Sequence, residues 1–218
     1  MNVHLRVPAA PPFVALYFEL FEQTEFMTTP VAPSIEIGEF VDGLRKFPAA
    51  AFVEIGPVLN FLKVTPVVAG SLAPFLNWNS QHYTRNLIDK TALYELIAIC
   101  WEVGQSSSVH NHLDQNCWMA VPMGRLLVQN YRVISEDLQS GKCQLATAET
   151  VEMSPTQPCA VDPAQPVHRV YNPRDFAQRA VSLHVYSRPF NTCVVYSQEQ
   201  GTCGMINLHY TTEYGKKV

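Results

Sequence analysis

Apolar positions recur at helical spacing early in this chain and alternate with polar ones later. In "SIEIGEFVDGLRKF", Ile37, Phe40, Val41 and Leu44 fall on one side of a 3.6-residue repeat. That predicts a helix with Ser34 as N-cap and with Glu36 and Glu39 near the positive end of its dipole. "AFVEIGPVLNFLKV" repeats the period, with Gly56 and Pro57 limiting its run. Residues 24–33, "TEFMTTPVAP", read as a linker or loop. From about residue 82 the texture changes to short β-type runs: "LYELIAICWEV", "CWMAV", "RLLVQNYRV", "QLATAETVEM", "PVHRVY", "RAVSLHVYS", "TCVVYS" and "GMINLHYT". The breaks between them, "PMG", "QSGK", "TQP", "NPRD" and "QEQG", carry turn-forming residues. Short strands at near-even spacing predict a small antiparallel barrel or jelly roll behind a helical N-terminal layer.

Composition narrows the class. The 218 residues are 47% hydrophobic and 16% charged, enough for one large core. A net charge of −4 argues against a nucleic-acid partner, because tracking phosphates needs a basic excess. The apolar run "PPFVALYFELF" is broken by Glu19 and too short to span a membrane, and no convincing cleavage site follows it, although Arg6 precedes it. Six cysteines without a CxxC pair read as buried thiols in a reducing compartment. The expectation is a cytoplasmic monomer without a membrane partner.

The chemistry centres on "GQSSSVHNHLDQNCWMAVPMG", residues 104–124. On a strand, His110 and His112 would point to one face, roughly 6.6 Å apart along the chain. Two surface or internally satisfied histidines would give the same pattern. The spacing of Gly104, His110, His112, Cys117 and Gly124 resembles the first motif of the cupin superfamily, with Cys117 where glutamate is usual. "PAQPVHRVYN" supplies Pro163, His168 and Asn172 of the second motif, without its usual glycines, which makes His168 the third ligand. Three neutral imidazoles leave a divalent ion its full charge and open positions. Such a site suits a chelating thiolate, or a zinc-bound water, and a barrel with a vestigial site has the same sequence.

Two further patterns bear on a pocket. "RAVSLHVYSRPF" puts Ser182, His184 and Tyr186 on one strand face and Val181, Leu183 and Val185 on the other. That is a pocket wall, or an ordinary satisfied core pair. "HYTRNLID" puts Tyr83 and Arg85 on one side if extended; Arg85 could clamp a carboxylate or pair with Asp89 at the surface.

Taken together, "YTRNLID", "CWEVGQSSSVHNH", "NCW", "HRVYN", "SLHVYSRPFNTC" and "LHYTTEYG" resemble the cysteine dioxygenases, thiol dioxygenases of the cupin superfamily, from about residue 75 to 215. The resemblance implies an all-β, jelly-roll-like cupin barrel over residues 75–218, with residues 1–74 as a helical extension packed on it. It implies oxidation of L-cysteine by O2 to cysteine sulfinate at a non-haem Fe(II) held by His110, His112 and His168. Arg85 would hold the substrate carboxylate, helped by Tyr83. Tyr186 would lie over the iron with His184 and Ser182 behind it, and Trp101 and Cys193 would stand near the site. Cys117 would form a thioether to Tyr186, a link that bacterial relatives with glycine at that position lack. Arg188 departs from animal members, which usually have proline there. Three other readings stay open: a dioxygenase for another thiol such as 3-mercaptopropionate, whose relatives generally have glutamine at Arg85 and lack Cys117; a three-histidine zinc hydrolase; and a non-enzymatic ligand-binding cupin.

Overall fold

The computed structural model describes residues 33–218, so "PPFVALYFELF" and most of the expected linker lie outside the described residues. Two α-helices come first, α1 (Ile37–Arg45) and α2 (Ile55–Val64), joined through a 3-10 turn at Ala49–Phe52. Thirteen strands follow. The first seven are β1 (Thr84–Lys90), β2 (Tyr94–Trp101), β3 (Val109–His110), β4 (Cys117–Met123), β5 (Leu126–Asp137), β6 (Lys142–Met153) and β7 (Cys159–Ala160). The rest are β8 (Val167–Tyr171), β9 (Ala180–Ser187), β10 (Thr192–Ser197), β11 (Thr202–Asn207), β12 (Thr212–Glu213) and β13 (Lys216–Lys217).

Helix α1 buries Ile37, Phe40 and Leu44, as its period predicts. Its cap differs: Glu36, not Ser34, is the N-cap, and the Glu39 carboxylate accepts the Glu36 amide at 3.2 Å. Gly56 and Pro57 sit in the first turn of α2 and do not cut it short, because a first-turn proline forfeits no intrahelical hydrogen bond. None of the described helices is long and apolar enough to cross a membrane.

The strands form two sheets. One has the order β13-β12-β1-β2-β9-β4-β7; the other runs β10-β11-β6-β5-β8-β3 and closes on itself where β3 bonds β10. The architecture is the expected mostly-β cupin barrel with N-terminal helices. One pairing departs from the antiparallel expectation: β12 lies parallel to β1, with Asn86 opposite Thr212. Between β4 and β5 the chain reverses at Gly124, whose φ is +76° and whose place leaves 2.5 Å between an added Cβ and the Arg179 carbonyl.

Strand alternation partitions the core. Leu96, Ala98 and Cys100 of β2, with Val181, Leu183 and Val185 of β9, face the apolar side chains of α1 and α2. Ile97, Ile99 and Trp101 point the other way, into the barrel, as do Cys117, Met119 and Tyr186. The helical layer is stitched to β4 beside the site: Trp118 donates to the Ile55 carbonyl at 2.9 Å, and the Asn116 amide to Phe52 and Val53 carbonyls.

Asp89 does not pair with Arg85. It accepts from Arg45 at 2.5 and 3.1 Å and from the Tyr94 hydroxyl, tying α1 to β1. Burial alone would raise its carboxyl pKa, but the hydrogen bonds from Arg45 and Tyr94, with the Arg45 charge, hold it below the ordinary value. This contribution is therefore full above about pH 4 and is lost as pH falls through the lowered folded value. Because Arg45 is half exposed, Asp89→Asn is expected to cost only about 1 kcal/mol at neutral pH. Thermal unfolding from pH 7 to 3 should show a gentler loss of Tm for the variant; parallel curves would remove the pair from the acid response.

Candidate metal centre

The histidine pair is not carried by one strand. β3 ends at His110, and His112 lies beyond it, just before Leu113 bends the chain at φ +53°. The two rings converge all the same, because β8 presents His168 directly opposite His110. Ring centroids are 5.1 Å apart for His110 and His112, and 4.8 Å from each of these to His168. One ligating nitrogen from each lies within 4.8 Å of the others.

The donor atoms are free for a metal. His110 uses Nδ1 on the Ser108 carbonyl at 2.9 Å, which leaves Nε2 for the centre. Both ring nitrogens of His112 and of His168 are buried without a hydrogen-bond partner. Unpaired buried polar atoms are costly, and one such nitrogen on each of the two facing rings fits a divalent ion shared with His110. Burial pushes the His110 pKa down to about 4, and burial with mutual repulsion puts His112 and His168 well below the ordinary value. The rings are thus neutral lone-pair donors, and the chain has a three-histidine metal site.

The approach to His110 is held by two motif residues whose work is structural. Gly104 donates its amide to the Asn172 carbonyl at 2.8 Å, and the Asn172 side chain donates to Trp101 and Gln178 carbonyls. Pro163, the other second-motif residue, is exposed.

β9 turns its polar face to the same cleft. Tyr186 Oη lies 3.1 Å from His184 Nδ1, Ser182 Oγ lies 2.8 Å from His184 Nε2, and Trp101 Nε1 donates to Ser182 Oγ at 2.9 Å. The first bond of this chain has a fixed direction. Indole only donates, so Ser182 Oγ accepts from Trp101; a Ser182 proton on Nε2 would put the His184 hydrogen on Nδ1, toward Tyr186. In that tautomer the Tyr186 O–H points elsewhere. Burial, then the neighbouring Cys117, drives the phenol pKa well above its ordinary value, and burial with Arg85 lowers His184 to about 3.

Cys117 stands opposite Tyr186 in the β4–β9 ladder. Its Sγ lies 4.0 Å from His184 Nδ1, the atom that also meets the Tyr186 hydroxyl, so sulfur and phenol oxygen flank one nitrogen.

Arg85 lines the cleft with Tyr83, His110, His112, Tyr186 and Cys193. Its Nε and Nη2 are buried and unpaired. Tyr83 stacks on Trp101, centroids 4.7 Å apart at 25°. Phe190, not singled out from the sequence, packs its ring edge-on to Tyr186 at 4.9 Å and to His112 at 6.1 Å. Its only sequence signal is its place in "SRPF". Arg188, at φ +63°, lines a separate groove with Phe52, Val53 and Asp114.

Comparison with known proteins agrees with this geometry. A family model described as "Cysteine dioxygenase type I" matches residues 27–199. The chain is 26% identical over 197 residues to the cysteine dioxygenase type 1 of Danio rerio, covering 90% of this chain and 94% of that protein. It is 29% identical over 164 residues to that of Rattus norvegicus, covering 74% and 78%. It is 28% identical over 144 residues to that of Homo sapiens, covering 66% and 70%. A match over most of its length, centred on the three-histidine cleft, places the chain in the cysteine dioxygenase type I family.

Proposed function

We propose that the protein oxidises L-cysteine to cysteine sulfinate with O2, using non-haem Fe(II) as its cofactor. Family membership and the three-histidine centre support thiol dioxygenation. The observation that carries the substrate is Arg85, a half-buried cation two of whose donor nitrogens are buried and unpaired in the histidine cleft. Two buried guanidinium donors without partners fit a carboxylate that accepts from both nitrogens.

Iron held by His110, His112 and His168 would supply the electron transfers that O2 chemistry at a thiol requires. The chain's own groups do the rest. Arg85 fixes the carboxylate end, which sets the distance of the thiol from the histidines. Tyr83 limits the rotation of the bound carboxylate, and Cys193 closes the cleft wall. With hydrogen on His184 Nδ1, Tyr186 accepts there and donates its own hydroxyl proton toward the reacting oxygen and sulfur. Trp101, Ser182 and His184 hold that orientation without reorganising during the reaction. In this reading residues 75–218 carry all of the chemistry.

We assign a thioether between Cys117 Sγ and the Tyr186 ring carbon beside the hydroxyl. The thiol and the ring carbon each lose a hydrogen, and O2 accepts the two electrons. Iron-loaded protein turned over aerobically with L-cysteine is expected to lose the mass of two hydrogen atoms, with a branched 117–186 peptide after digestion. Cys117→Ser should keep its full mass. Parent protein that stays at full mass after turnover would remove the link.

The substrate is tested by O2 uptake of Fe(II)-loaded protein with L-cysteine and with 3-mercaptopropionate. Uptake matched by cysteine sulfinate, and little with the amine-free thiol, is expected. Preferential turnover of 3-mercaptopropionate would overturn the substrate.

A further inference from the structure

Away from the histidine cleft, two thiols meet at the narrowest seam of the closed sheet. β11 is joined to β6 by a single register pair, Thr202 opposite Lys142, flanked by two backbone hydrogen bonds. Cys143 donates its amide to the Gly201 carbonyl at 2.9 Å, and Cys203 to the Gly141 carbonyl at 3.0 Å. This is the pattern of a closely spaced pair without mutual hydrogen bonds, with Cys143 and Cys203 one residue beyond it on either strand. Alternation puts both thiols on the face opposite Thr202 and Lys142, and both pack against the cluster of Leu145, Val194 and Tyr196.

What stands opposite each cysteine is decisive. Across from Cys143 is Gly201, and across from Cys203 is Gly141, both at positive φ. Across this seam no side chain stands directly opposite either thiol, so each has the other as its diagonal side-chain neighbour there. Their proximity is also felt in ionisation: after burial, the Cys203 thiol is the next influence raising Cys143. Both are free thiols, Cys143 buried and Cys203 partly exposed.

We propose that Cys143 and Cys203 form a redox-modification site, closing to a disulfide that staples β6 to β11 when the chain meets a low-molecular-weight disulfide. Cys203, the accessible thiol, attacks the small disulfide as its thiolate; one small thiol leaves and a mixed disulfide remains. Cys143 then displaces the second small thiol and closes the protein disulfide. The two cysteines lose two protons and two electrons, and the small disulfide is reduced to two thiols. The staple would close a loop of some sixty residues across a seam otherwise held by one residue pair. It would also anchor the β10–β11 hairpin, whose Cys193, Val195 and Ile206 line the histidine cleft.

The test is incubation of the metal-free full chain with oxidised glutathione, followed by intact mass, peptide mapping and thermal unfolding. The expected product has lost two hydrogens, yields a linked 143–203 peptide, and unfolds on the order of 5 °C higher, reversibly on adding reductant. Cys143→Ser should stop at a stable glutathione adduct on Cys203, and Cys203→Ser should resist modification at this site. If the parent chain stops at that same adduct, or links Cys143 or Cys203 elsewhere, the proposal fails. The readout is independent of catalysis, so inactivity toward L-cysteine leaves it untouched.

Discussion

Alanine in place of His168 is expected to give a folded protein that retains no iron after dialysis and consumes no O2 with L-cysteine. His168 reaches the centre from β8, while His110 and His112 come from β3 and the turn after it, so its loss leaves two ligands on one short stretch of chain. Removing only an outer partner of a metal ligand typically costs 10–100-fold in affinity, so losing a ligand of three should cost at least about 100-fold. Stability supplies a second readout. Both His168 nitrogens are buried and unpaired without metal. Deleting the ring removes that penalty but opens a cavity, so the metal-free variant should unfold within a few degrees of the metal-free parent. The iron-loaded parent, by contrast, should gain stability that the variant cannot. His168→Gln, which better keeps the volume, guards against simple misfolding. Full iron retention and activity in either variant would exclude His168 as a ligand.

Arg85→Ala is expected to lower kcat/KM for L-cysteine roughly 100-fold, mostly through KM, with iron content unchanged. A charge-assisted, forked contact to a carboxylate in a cleft shielded from water accounts for that size. Arg85→Lys should recover only part of the loss, because an ammonium cannot present two parallel donors. The same variants assayed with cysteamine, a thiol with an amine and no carboxylate, separate clamp from scaffold. Its turnover by Arg85→Ala should stay close to the parent's, however slow. An equal fall for both thiols would mean that Arg85 shapes the cleft and does not hold the carboxylate.

How much of this was legible in the chain depends on where the determining interactions lie. The β9 stripe could be read directly, because a period of two with Ser, His and Tyr against Val, Leu and Val leaves one choice of inner face. The path of the histidine pair could not: a strand through His112 is the natural reading, and the turn at Leu113 that ends it has no glycine to announce it. The parallel β1–β12 contact was invisible for another reason. Arg85 and Thr211 exchange hydrogen bonds across 126 positions, and a two-residue strand carries no period. The helix cap misread follows from a rule of thumb: Ser34 is the better capping residue type, yet the reciprocal Glu36–Glu39 arrangement starts the helix two residues later. Asp89 shows the limit of proximity in sequence, since its partner is Arg45, not Arg85 four positions away. Nor could the diagonal approach of Cys143 and Cys203 be read, since it depends on Gly141 and Gly201, turn residues that come to stand opposite them.

The most direct measurement is turnover of L-cysteine by Fe(II)-loaded protein under isotopically heavy oxygen gas, with the sulfinate product weighed by mass spectrometry. Two heavy oxygen atoms in each cysteine sulfinate, one product formed per O2 consumed, is the predicted result. Product that takes one or both oxygens from water, or O2 consumption that yields cystine and no sulfinate, would contradict it.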